Sequence, residues 1–121
     1  MLNKKTLVLG ASENPERYSN LAVKKLTAYR HTVVAVGKRK GNIGNIVIET
    51  EKKAFDNIDT VTLYLNPLHQ QEYYDYILSL HPKRIIFNPG AENEELTAIA
   101  IENNIDVQEA CTLVLLSTGQ Y

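Results

Sequence analysis

The chain has little of what usually staples a small protein. A single cysteine, Cys111, stands among 121 residues, which excludes an internal disulfide and a cysteine-rich zinc site. Hydrophobic burial must therefore carry the fold. Long apolar runs are also missing: Leu113–Leu116 is typical of the longest, far short of the roughly 20 residues a membrane-crossing helix needs. Charge of one sign is not in excess either, with 13 Lys and Arg against 14 Asp and Glu and a formal net charge of −1. No overall field would hold a nucleic-acid backbone, so any anion site has to be local. From Met1 to Leu9 two lysines lead into a short apolar segment that stops at Gly10. That segment is too short for a secretory signal and has no small-residue cleavage pattern, so a cytoplasmic location is expected. His31, His69 and His81 fall at unrelated places without metal-ligand spacing.

Strands and helices alternate in what remains. Thr6, Leu7, Val8 and Leu9 form a buried-strand run ending at Gly10. From Ser19, the residues Leu21, Ala22, Leu26 and Tyr29 recur at helical steps, and a cap is expected near Ser19 or Asn20. Thr32–Val36 reads as a second strand, completing a strand–helix–strand unit. Lys38–Asn45 is loop by composition, with Gly41 and Gly44, and Ile46–Ile48 reads as a short strand or edge. Thr60–Leu65 is β-rich. Asn66 and Pro67 then supply an N-cap and a first-turn proline for a helix to Leu80. Arg84–Phe87 is a strand, Asn88–Gly90 a turn, Glu94–Asn103 a helix and Ile105–Val107 a last strand. Cys111–Leu116 is undecided by periodicity alone, and a short helix ending near Gly119 is favoured. The pattern predicts one α/β domain over residues 1–121, with helices on both sides of a mostly parallel five-stranded sheet.

Such sheets bind ligands beyond the C-terminal ends of their strands. Gly10, Ala11 and Ser12 follow the first strand, Lys38–Lys40 the second, Asn66 and Pro67 the third, and Asn88–Gly90 the fourth, so they are expected on one rim. Gly10 permits close backbone approach, and the loop feeds a helix N-terminus whose dipole favours anions. The dinucleotide fingerprint Gly-x-Gly-x-x-Gly is absent. An ordinary turn would use the same residue types. Where NAD-binding folds place an acidic residue for the ribose 2′-hydroxyl, Gly37, Lys38, Arg39 and Lys40 stand instead. A cationic cluster there suits a ribose carrying an extra phosphate, as in NADP or coenzyme A. The plainer alternative is a solvated basic turn.

These residues resemble a family. Gly10-Ala11-Ser12 with Asn14-Pro15 and Tyr18, the helix at Leu21–Leu26, Asn88-Pro89-Gly90-Ala91 followed by Glu92-Asn93-Glu94, and Ala110-Cys111 are similar to the motifs of the small bacterial and archaeal CoA-binding proteins. Their single Rossmann-like domain is similar to the CoA-binding domain of succinyl-CoA ligase α-subunits. The resemblance spans nearly the whole chain. It implies a three-layer Rossmann-like fold and coenzyme A as ligand. It further implies that Gly10, Ala11, Ser12, Tyr18, Ser19 and Asn20 surround the diphosphate, with Lys38 or Arg39 near the ribose 3′-phosphate. Asn66, Pro67, Asn88 and Gly90 would line the pocket. The chain departs from the family's usual Val-Asn-Pro-Lys at Val36-Gly37-Lys38-Arg39 and from Val-Pro-Pro at Leu65-Asn66-Pro67, and it has Ser19 where glycine is common.

Chemistry is harder to find in the residues. His69 is the only histidine expected near the rim, and an exposed helical residue competes with a base there. Cys111 could attack or form a mixed disulfide with a CoA thiol, but buried packing is favoured. Glu94 with Glu95, and Glu49 with Glu51, read as solvated charges rather than acid and base partners. A CoA or acyl-CoA binding module acting as sensor, carrier or regulator is therefore favoured over an NADP-linked enzyme domain or a scaffold whose ligand site has decayed. A protein partner or homo-oligomer stays open.

Overall fold

Short segments rich in aliphatic and β-branched residues, almost wholly buried, build the middle of the sheet, because strands covered on both faces show little to water. The computed structural model describes residues 2–121; Met1, the first residue of the expected domain, lies outside them. Its strands are β1 (Thr6–Leu9), β2 (Val33–Val36), β3 (Gly41–Ile43), β4 (Ile46–Glu49), β5 (Thr60–Leu63), β6 (Arg84–Phe87) and β7 (Asp106–Glu109). The helices are α1 (Tyr18–Ala28), α2 (Pro67–Gln70), α3 (Tyr74–Ser79), α4 (Glu94–Glu102) and α5 (Thr112–Ser117). The sheet order is β3-β4-β2-β1-β5-β6-β7. All neighbours are parallel except β3, which runs antiparallel to β4. Without β3 this is the doubly wound, Rossmann-like order, and it reverses direction between β1 and β5.

The alternation of side chains along each strand divides the core into two layers. Leu7 and Leu9 face one side with Leu63, Phe87 and, from the helices, Tyr76, Ile77, Leu96 and Ala100. Val8 faces the other with Ala35, Ile86, Val23 and Leu26 of α1, and Leu115 and Leu116 of α5. Each large aliphatic side chain buried this way stabilises the fold by about 1.5–3 kcal/mol.

Five strands were expected and seven are present. The segment read as loop includes β3, whose three residues are too few to show a period. Their partner is β4, in the register Asn42 with Val47, around a turn where Gly44 has φ 59°. The third strand expected to reach Leu65 ends at Leu63, and the last strand runs Asp106–Glu109 instead of Ile105–Val107. The single helix expected to Leu80 is three pieces, with a 3₁₀ turn at Gln71–Tyr73 between α2 and α3. Short 3₁₀ pieces are tolerated where tertiary bonds redirect a helix. Its start matches the reading: the Asn66 side chain accepts from the His69 N–H at 3.0 Å, with Pro67 in the first turn. The favoured short helix at the end of the chain is α5. Among the described residues no helix is long and apolar enough to cross a membrane.

Candidate functional site

Parallel strands deliver the loops after β1, β2, β5 and β6 to one edge of the sheet, so the rim expected from the sequence exists. The loop after β1 is held tightly against its neighbours. The Gly10 and Ala11 N–H groups both donate to the Val36 carbonyl, at 2.9 and 3.0 Å. Gly10 has φ 99°, and a side chain there would press on the Tyr64 carbonyl at 2.7 Å. Its glycine is thus demanded by close packing of the β1 and β5 loops as well as by its conformation. A side chain at Gly37 would overlap the Ala11 carbonyl. Lys38 consequently begins directly beside the β1 loop.

Farther along that loop the Ser12 hydroxyl accepts from the Asn14 N–H at 3.1 Å, and Asn14 Oδ1 accepts from the Glu16 N–H at 3.0 Å. Glu13 Oε2 accepts from the Asn42 N–H at 2.9 Å and pins the loop to β3. The loop then enters α1. Sequence periodicity placed the cap near Ser19 or Asn20, but the N-cap is Arg17 and its side chain makes no capping bond. The two expected cap residues lie inside the first turn and are buried. Asn20 donates from its side-chain amide to the Ser12 carbonyl at 2.9 Å, while its Oδ1 is buried without a partner. With no acidic residue in the first turn, the positive end of the α1 dipole is uncompensated. Tyr18 stands exposed at that end.

Lys38, Arg39 and Lys40 are all exposed. None of the three forms an ion pair among the described residues, although the Glu13 carboxylate lies close by, against Gly41 and the Asn42 N–H. On the far side of the crevice the roles differ from the simple lining that was expected. Asn88 is 2% exposed and its amide is fully occupied. It donates to Thr62 Oγ1 at 2.6 Å and the Leu63 carbonyl at 2.9 Å, and accepts from the Thr112 N–H at 2.9 Å. Asn88 is therefore a bracket between β5, β6 and α5. Asn66 and Pro67 are exposed at the start of α2, and Gly90, with φ 93°, is exposed after β6.

The sequence reading missed several residues around the rim. Thr62 and Thr112 share a buried hydroxyl contact at 2.8 Å. The Tyr64 hydroxyl is buried beside them, completes a hydrogen bond with neither, and has its pKa pushed far above the ordinary value, mainly by burial. Gln70 is fully buried between two rim loops. Only Tyr64, a polar-tipped aromatic in an apolar strand run, carried a sequence signal. Cys111 is half-buried at the start of α5, more open than the favoured packing role. His69 is exposed on α2. No group of three or more His, Cys, Asp or Glu side chains among the described residues is placed to hold a metal.

Comparisons with known proteins bear on the family and the fold. The sequence profile of the CoA binding domain family matches residues 4–117. The crystal structure of an uncharacterized protein is 48% identical, covers the whole of both chains and superposes with a TM-score of 0.98. A hypothetical protein from Pyrococcus horikoshii OT3 is 23% identical over 96% of this chain and 83% of its own, with a TM-score of 0.87. A dinucleotide-forming acetyl-coenzyme A synthetase from Ca. Korarchaeum cryptofilum shares the fold at 16% identity. That match covers 88% of this chain but 25% of the synthetase, with a TM-score of 0.71. Curated proteins gave no match.

Proposed function

We propose that this chain, which belongs to the CoA binding domain family, binds coenzyme A or an acyl-CoA across the crevice between β1 and β5. In this reading it serves as a carrier, sensor or regulatory module. The observation that carries the reading is the pairing of two positive features beside the Gly10 loop: the start of α1, which has no side-chain cap, and the Lys38–Lys40 triplet, which forms no ion pair among the described residues. Residues that fit the group are present. The diphosphate would lie against the loop Gly10–Ser12, whose Gly10 and Ala11 N–H groups are given to Val36, so the first turn of α1 and its dipole would supply the attraction for the anion. The Asn20 Oδ1, buried and without a partner, would accept from a ligand hydroxyl or amide that reaches it. Lys38 and Arg39 would hold the 3′-phosphate. Coenzyme A is linear, so a nucleotide over β2 and a diphosphate over β1 send the pantetheine arm toward Asn66, Pro67 and Gly90.

The test is a thermal-shift titration with CoA, dephospho-CoA, NADP and NAD, with Lys38→Ala and Arg39→Ala alongside. A ligand at 100 times its Kd adds about 2.7 kcal/mol of stability. The expected result is a shift for CoA that shrinks for dephospho-CoA and in both variants. A larger shift with NADP, or oxidation of NADPH, would favour an oxidoreductase instead. Indifference of the folded protein to all four ligands would retire the reading in favour of an interaction scaffold.

A further inference from the structure

A glutamine in a helix is ordinarily a solvated surface residue, yet Gln70 is 0% exposed at the end of α2. Every capacity of its amide that matters is directed at the rim. Nε2 donates to the Leu65 carbonyl at 2.8 Å and to the Ala91 carbonyl at 2.7 Å. Oε1 accepts from Asn93 Nδ2 at 2.9 Å. That same Nδ2 reaches the Tyr74 hydroxyl at 2.9 Å, and Asn93 Oδ1 caps α4 by accepting from the Leu96 N–H at 3.1 Å. The chain helix breaks into its 3₁₀ turn at the next residue, Gln71. One side chain thus ties the loop after β5 to the loop after β6 and to the start of α4.

We propose that Gln70, backed by Asn93 and Tyr74, is the positioning residue for the pantetheine half of the ligand. The inference rests on the coenzyme A reading above. The nucleotide half is placed by Val36, Gly37 and the α1 turn, which Gln70 does not touch. The loops after β5 and β6 have no ladder bond between them beyond Leu63 and Phe87, and the Asn88 bracket reaches only the strand end at Leu63, so farther out over the crevice their spacing rests on this clamp. A buried donor pair removed from two carbonyls leaves both unsatisfied, and the loops relax to find new partners. A site whose supporting groups are loosened loses affinity through geometry without losing a direct contact.

The experiment compares CoA with adenosine 3′,5′-bisphosphate, which keeps the nucleotide and its 3′-phosphate but has no pantetheine. Both are titrated calorimetrically into the wild type, Gln70→Met and Asn93→Asp. Gln70→Met is expected to weaken CoA by about tenfold while changing the bisphosphate by less than about twofold. Asn93→Asp keeps the α4 cap but loses both donated bonds, and is expected to show the same selectivity to a smaller degree. It carries the test alone where Gln70→Met does not fold. Equal losses for the two ligands, or unchanged CoA affinity in folded variants, would overturn the clamp while leaving the coenzyme A reading intact. A wild type that binds neither ligand would overturn both.

Discussion

Replacing Asn88 by alanine measures how much of the rim is architecture. The substitution removes two donated bonds and one accepted bond from a side chain that is 2% exposed. The Thr62 hydroxyl keeps its contact with Thr112 at 2.8 Å, so its loss is partial. The Leu63 carbonyl loses this donor and the Thr112 N–H this acceptor, both where water has little access. A buried polar group left without a partner costs about 1–3 kcal/mol, so two such groups give about 2–6 kcal/mol. That is a large share of the roughly 5–15 kcal/mol by which domains are stable. For a chain of this length it corresponds to a fall in Tm of about 8–24 °C. Urea unfolding followed by circular dichroism provides the assay, with the midpoint moved and the slope m unchanged. Asn88→Asp separates the bonds from the volume. It retains the acceptor for Thr112 but turns an acceptor toward Leu63, and its penalty should ease on acidification as the carboxyl gains a proton to donate. A loss below about 1 kcal/mol in Asn88→Ala would refute the assignment of these bonds as structural.

Two further outcomes follow from the same geometry. Gly37→Ala forces a Cβ into the Ala11 carbonyl and should cost about 1–3 kcal/mol as the β1 loop moves away; an unchanged urea midpoint would show that the loop yields freely. His31, 4% exposed, accepts the Lys4 N–H on Nδ1 at 2.9 Å, and burial with Lys4 nearby holds its pKa below the ordinary 6.5. The unfolded chain then takes up a proton near pH 6.5 that the folded chain refuses, so stability should decline as pH falls from 6.5. Urea midpoints at pH 7.5 and 5.5 should differ less in His31→Gln than in the wild type, and an equal difference in both would remove His31 from the account.

Much of this architecture was legible because central strands in a doubly wound sheet have one chemical requirement. Runs such as Thr6–Leu9 and Arg84–Phe87 lie between two apolar layers, and composition alone marks them. The Asn66-Pro67 helix start was equally readable, since a cap acts within four residues. Strand β4 was legible as a short strand or edge at Ile46–Ile48, but β3 was not, because Gly41–Ile43 becomes a strand only by meeting it. Polar side chains divided along the same line. The exposed rim position of Lys38 and Arg39 could be read from their place after β2, whereas nothing local distinguishes an Asn88 that consumes its own amide from one that faces a ligand. Gln70 was invisible because its partners, Leu65 and Ala91, meet it through the fold. The start of α1 was misplaced because a capping side chain was assumed, and Arg17 provides none.

The reversal of strand order between β1 and β5 also sets how the chain assembles. Most parallel registers join segments a short way apart along the backbone: residue 6 with 33, 60 with 84, and 84 with 106. The β1–β5 register joins residue 6 with 60, a loop about twice as long, which adds about 0.6 kcal/mol of closure entropy. Two halves, one growing outward from β1 and one from β5, can each form through nearer contacts and then meet at this seam. The crevice proposed for the ligand lies over the same seam. A molecule bound there touches both halves at once, and so would act as a late stitch in folding as well as a passenger.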